Sequence, residues 1–151
     1  MRSGAFILFV SILSWSKSYS QINVRFNPTF SQIGKVRTER HKTDTAWRTF
    51  TGTFYDQKRK INLFVISEFE KGQAALTWHG HSRIYFFTKN KKLFASVDVG
   101  MPEELPFKLT NNTFYFHGAK KDRQKLYKNT LETLLPVFCT DISGCNDVVF
   151  E

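Results

Sequence analysis

Carboxylates are scarce in this chain: 13 Asp and Glu stand against 22 Lys and Arg, giving a formal net charge of +9. Cysteine is scarcer still, with only Cys139 and Cys145. After the first twenty residues, no apolar run approaches the ~20 residues a membrane-crossing helix needs, so a soluble mature protein is expected. There is no Gly-x-Ser-x-Gly elbow, no glycine-rich phosphate loop, no internal repeat and no low-complexity tract. Those absences remove the usual sequence grounds for a serine hydrolase or a nucleotide-phosphate site.

What is present begins at the N-terminus. Arg2 precedes an apolar run over residues 5–13, and Ser18 and Ser20 place small residues just before Gln21. A basic start, a short apolar stretch and a small-residue junction predict a secretory signal peptide over residues 1–20, cleaved after Ser20. The expected location is therefore periplasmic or secreted. No cysteine lies at the junction, so a lipid anchor is not expected. In an oxidising compartment Cys139 and Cys145 read first as a disulfide. It would close a short loop over residues 140–144.

Without residues 1–20 the chain keeps twenty basic and thirteen acidic groups. Nine basic and three acidic groups fall within residues 21–60, whereas residues 61–151 are nearly balanced. This front-loaded charge marks Lys35, Arg37, Arg40, Lys42, Lys58, Arg59 and Lys60 as contacts for an anionic partner such as a cell-surface polymer, an acidic protein or a lipid head group. The competing reading is ordinary solvated turns. Nucleic acid is not expected as a partner: the basic residues sit in turns, the aromatics in strands, and the chain is read as exported.

Residues 21–44 read as a basic N-terminal arm or linker, with a short strand at Ile22, Val24 and Phe26. Residues 45–151 read as one domain. Runs rich in Thr, Val, Ile and aromatics alternate with polar turns at 56–59, 70–73 and 89–92, which predicts successive antiparallel strands. Residues 60–69 are apolar on both faces, as in a strand covered from two sides. A loop spans residues 100–104, and Thr110-Asn111-Asn112 reads as the turn of a hairpin. After Gly118 the period changes. Tyr127, Leu131, Leu134, Leu135 and Phe138 share one face at helical spacing, which predicts a C-terminal helix ended or kinked by Pro136. The fold class expected is α+β: an antiparallel β-meander forming a curved sheet, with one C-terminal helix packed on it. Closure of the sheet into a small barrel is the alternative. Strands followed by a late helix resemble the calycin (lipocalin-like) architecture, and that resemblance implies a small apolar ligand. The Gly-x-Trp signature of the first calycin strand is absent.

Trp78-His79-Gly80-His81 is the sharpest local pattern. On one strand, His79 and His81 would share a face and could begin a zinc or copper site, with His117 as a third ligand and a bound water as hydrolytic nucleophile. Gly80 and Ser82 equally suit a hairpin turn that would point the two imidazoles apart. Zinc is accordingly the one cofactor considered, and none is expected outright. Glu68 and Glu70 share a strand face by spacing, as an acid/base pair or as a solvated face. The aromatics exceed what one covered sheet face needs. They imply a barrel interior, a second covered face or a binding patch. Asn111-Asn112-Thr113 is a glycosylation sequon where the host glycosylates. The function expected is an exported non-enzymatic binding module for a protein or an apolar small molecule. The alternatives are a zinc-dependent hydrolase-like site and a basic inhibitor acting on an acidic surface.

Overall fold

The computed structural model describes residues 33–40, 42–74, 77–117, 126–140 and 144–150. The predicted signal segment and the expected strand at residues 22–26 lie outside them. The described chain is nearly all β: β1 (Val36–Arg40), β2 (Asp44–Asp56), β3 (Ile61–Ala74), β4 (Thr77–Thr88), β5 (Leu93–Val99), a 3-10 turn (Pro102–Glu104), β6 (Pro106–Thr110), β7 (Thr113–His117), β8 (Leu126–Thr130), β9 (Val137–Thr140) and β10 (Gly144–Phe150). Among the described residues no helix is long and apolar enough to cross a membrane.

Two antiparallel sheets form, and neither closes. The larger has the order β1-β2-β3-β4-β5-β10-β9, and the smaller the order β6-β7-β8. The first five strands lie in chain order, since short connections pair sequential strands. The polar turns expected at 56–59 and 89–92 fall where β2 meets β3 and β4 meets β5, but the turn expected at 70–73 is not found, because β3 runs through it to Ala74. The chain then leaves the sheet, builds β6–β8, and returns to set β10 beside β5.

The alternation of β3 divides its side chains between two cores. Leu63 and Val65 enter the main core, with Phe54, Ile84, Phe86, Ala95 and Val97 from neighbouring strands, each fully buried. Leu109, Phe114 and Phe116 from the smaller sheet close over them. Phe114 sits at the centre, its ring 5.9 Å from Phe54 and 5.3 Å from Phe138. Each such side chain contributes about 2–3 kcal/mol by leaving water. On the opposite face Phe50, Ile66, Tyr85 and Phe87 form a second buried cluster, with Ile33, Phe64 and Leu93 packed against it. The aromatic surplus is therefore explained by a sheet with apolar clusters on both faces. A bulge between Phe86 and Phe87 shifts the register so that Leu93 joins this second cluster, while Ala95, Val97 and Val99 stay in the main core.

The expected α+β class and C-terminal helix are not found. Residues 126–130 are a strand paired with β7, from Thr113↔Thr130 to His117↔Leu126. Within β8 the exposure alternates, with Tyr127 and Asn129 the more buried. Residues 131–136 are irregular, because their backbone groups are satisfied elsewhere. The Leu134 N–H donates to Asp56 Oδ2 at 3.1 Å, and Arg59 donates to the Leu134 carbonyl at 2.9 Å. Leu134 reaches the main core from this irregular chain and Phe138 from β9, while Leu135 is exposed. The helical spacing thus ran together Tyr127 of β8, three residues of the irregular segment and Phe138 of β9. The calycin-like barrel is likewise overturned, since both sheets are open and the space between them is filled by side chains.

Part of the basic stretch before Thr45 is strand. β1 pairs with β2 from Val36↔Thr49 to Arg40↔Thr45 and forms one edge of the larger sheet. β9 forms the other edge. There Cys139 lies directly opposite Cys145 on β10, with the sulfurs 2.11 Å apart.

Candidate functional site

Three turns meet at one end of the larger sheet. The first joins β2 to β3. Its frame is Asp56, fully buried, whose carboxylate accepts from the Arg59 N–H (2.9 Å), the Arg59 guanidinium (2.7 Å), the Thr133 hydroxyl (2.8 Å) and the Leu134 N–H. Burial alone would raise the Asp56 pKa, and these donors together hold it below the ordinary value. Arg59 also lies over the rings of Phe94 and Phe150. It is thus committed to structure, although the sequence marked it as a partner contact. Lys58 and Lys60 are left exposed on the same turn.

The second turn joins β4 to β5. The Thr88 carbonyl accepts from the Lys91 N–H at 2.8 Å, and the Lys92 carbonyl accepts from the Thr88 N–H at 2.9 Å. Lys89, Lys91 and Lys92 all project into solvent. With Lys58 and Lys60 they make a rim of five lysines, none of which forms a salt bridge with a described residue. Two of them, Lys60 and Lys91, have φ of 55° and 62°. Left-handed backbone is where turns ordinarily place glycine, and a lysine there costs about 1 kcal/mol.

The third turn is the tip of the β6–β7 hairpin. Asn111 and Asn112 have φ of 50° and 57°. Both central residues are left-handed, as in a type I′ turn, which asparagine tolerates. Asn112 then reaches the edge of β2, where Oδ1 accepts from the Tyr55 N–H at 2.9 Å and Nδ2 donates to the Tyr55 carbonyl at 2.6 Å. One side-chain amide thus pairs with Tyr55 as a neighbouring strand would.

Between these turns lies an open groove of about 550 Å3, lined by Thr53, Tyr55, Asn62, Phe64, Lys89, Asn111 and Asn112. A bulge at Gly52 aims its β2 wall. The register changes between Phe50↔Ile66 and Gly52↔Val65, so that Thr53 and Tyr55 pair with Phe64 and Asn62. Gly52 has φ of 148°, and a Cβ there would stand 2.5 Å from the Leu109 carbonyl oxygen. Glycine is what lets β6 cross β2 at this point. Compared with family models, curated proteins and solved structures, the chain matches none. The site must therefore be read from its own chemistry.

The remaining expected residues fall elsewhere. Lys35, Arg37, Arg40 and Lys42 are exposed on or beside β1, with Arg37 3.5 Å from Glu39. They do not join the rim as a single turn cluster. β4 runs unbroken through Gly80, so His79 and His81 share one strand face and no turn separates them. His79 contacts the Thr77 hydroxyl at 2.9 Å. His117 ends β7 in the other sheet, its ring stacked on Phe107 at 4.0 Å. Among the described residues no group of three His, Cys, Asp or Glu side chains is placed to hold a metal ion. Gly80 has a packing reason of its own, since a Cβ there would lie 2.9 Å from the Phe69 ring.

Glu68 is buried, accepting hydrogen bonds from Arg48 and from the Tyr85 hydroxyl at 3.0 Å. Glu70 is opposite His81 on the next strand. The two carboxylates therefore face different residues of β4, Arg83 and His81. Glu68 belongs to a row that crosses the sheet, with Arg48 facing Glu68, Glu68 facing Arg83, and Arg83 facing Asp98. Burial alone would lower the Arg48 pKa, and the carboxylates of Glu68 and Glu39 outweigh it and raise it. Asp98 raises that of Arg83. Burial and the Glu68 charge push the Tyr85 phenol well above its ordinary value, against the opposing pull of Arg83.

Proposed function

We propose that this protein is an exported, non-enzymatic binding module that engages an anionic partner through the lysine rim. The observation that carries this reading is the pair of left-handed lysines. Folding alone favours glycine at the positions of Lys60 and Lys91. A strained residue retained at a turn is a reason to look for function there. At both positions the residue retained is the same cation, on turns that share one end of the sheet. The lack of salt bridges from the five lysines to described residues supports the same reading, as does the absence of any acidic side chain from the groove wall. A compact cluster of one sign steers and holds a partner of the other. Export is supported by the N-terminal signal pattern and by the cysteine pair at disulfide distance.

Salt-gradient elution from a heparin column tests this. A variant with Lys58, Lys60, Lys89, Lys91 and Lys92 changed to Gln should elute at much lower salt than the native protein. A control with five other exposed cations neutralised (Lys35, Lys42, Lys71, Lys108 and Lys128) should elute at higher salt than the rim variant. Equal elution of the two variants would mean that only net charge matters, and the rim would lose its role.

A further inference from the structure

We propose that the groove beside the rim is a saccharide site that takes a uronic-acid residue of an anionic glycan. The inference rests on the anionic-partner reading for its charge, and on different residues for its specificity. A sugar ring has an apolar C–H face and a rim of hydroxyls that are both donors and acceptors. The face needs an aromatic surface, and the rim needs side chains that donate and accept at once, which amides do. Tyr55 is 42% exposed at the groove wall, and Phe64 stands beside it. Asn62 and Asn111 bring amides from β3 and from the hairpin tip. Lys89 supplies the cation for a ring carboxylate, and no wall residue carries a negative charge.

The alternatives fit less well. An extended peptide would dock by adding to the β2 edge, but at Tyr55 both backbone groups are already held by the Asn112 amide. An apolar ligand would leave the Asn62 and Asn111 amides, the threonine hydroxyl and the lysine without partners, which is costly. That same Asn112 contact fixes the backbone that carries Tyr55, so the aromatic wall is set before a ligand arrives.

Calorimetric titration of the folded protein with three probes decides the matter. Trigalacturonic acid carries rings and charge, its methyl ester carries rings alone, and poly-L-glutamate carries charge alone. Native protein should bind trigalacturonic acid and poly-L-glutamate, and bind the methyl ester about tenfold more weakly than the acid. Tyr55→Ala should weaken trigalacturonic acid about tenfold and leave poly-L-glutamate within about twofold, while Tyr55→Phe should restore the sugar. If poly-L-glutamate binds and trigalacturonic acid does not, or if Tyr55→Ala weakens both equally, the saccharide site is wrong and the rim reading stands. If adenosine monophosphate competes as well as the sugar acid, the site is a generic aromatic–cation slot and the proposal fails. If neither anionic probe binds, both readings fall.

Discussion

Asp56 and Arg59 hold each other twice across one turn, the carboxylate accepting from the backbone N–H at 2.9 Å and from the guanidinium at 2.7 Å. Because Asp56 is fully buried and also fastens Leu134, its replacement strikes two parts of the fold. Asp56→Ala should cost about 3–5 kcal/mol, since it removes the acceptor of a guanidinium, two backbone N–H groups and a hydroxyl. The folded pKa of Asp56 lies below its unfolded value. Its stabilisation is therefore complete above the unfolded pKa and is lost as pH falls through the folded one. Urea denaturation of the native protein should show stability falling below about pH 4, with a shallower slope there in Asp56→Asn.

Tyr85 gives the opposite dependence. Its phenol is held above the ordinary value, so folding favours the neutral form. Stability should be fully present below about pH 10 and fall as pH rises further. Tyr85→Phe should remove that alkaline component while losing its hydrogen bond to Glu68, which contributes about 1–2 kcal/mol near neutrality. Thermal melts between pH 8 and 11, with tyrosinate absorbance followed in parallel, check both parts.

Replacing Lys91 by Gly should separate folding from binding. The left-handed backbone would be relaxed by about 1 kcal/mol, so the melting temperature should rise or hold. Elution from heparin should move to lower salt. A fall in both would show that the lysine side chain supports the turn itself.

Gly52 and Gly80 should differ in their tolerance of alanine. At Gly52 the new methyl meets backbone, the Leu109 oxygen, and the φ of 148° is itself unfavourable. Gly52→Ala should cost about 3 kcal/mol or more. At Gly80 the obstacle is the edge of the Phe69 ring, which can turn aside. Gly80→Ala should cost about 1 kcal/mol. Urea midpoints of the two variants give the comparison directly.

Opening the Cys139–Cys145 link should lower stability by about 2–3 kcal/mol, the value expected for a short closed loop. Denaturation with and without reductant, alongside a Cys139→Ser/Cys145→Ser variant, measures it.

Strands β2 and β5, the first part of β3 and the β6–β7 hairpin were legible because period-two alternation and polar turns leave local marks. The polar residues 70–73 marked no turn, since β3 runs through them to Ala74, and β1 lay in a stretch read as an arm. The double-asparagine turn was legible too, since few other pairs accept two left-handed residues. β8 was not, because five residues cannot reveal a period, and Leu131, Leu134, Leu135 and Phe138 supplied a false one. What fixes Leu134 is a carboxylate 78 residues away in the chain, and spacing does not encode it. The rim was half legible. Lysines in turns were evident, but that the turns share one end of the sheet, and that Lys60 and Lys91 are left-handed, depended on strand order and loop geometry. Arg59 differs from the lysines: it is exposed as they are, but its guanidinium already pairs with Asp56 and the Leu134 carbonyl, which its place in the sequence does not show.

The row from Arg48 through Glu68 and Arg83 to Asp98 also bears on how this sheet finds its alignment. Aromatic and branched side chains dominate the neighbouring rows, where Phe64 faces Phe87 and Ile66 faces Tyr85. Sliding one strand by two residues would keep every side chain on its own face and set one bulky apolar group against another, so those rows discriminate poorly. A slip of β3 in one direction would set Ile66 opposite both Arg48 and Arg83 and move Glu68 opposite His81, breaking the Arg48–Glu68 ion pair; in the other direction Glu70 would take the place of Glu68. The charged row thus acts as a vernier for the aromatic strands in one direction, penalising a slip that the apolar rows would let pass.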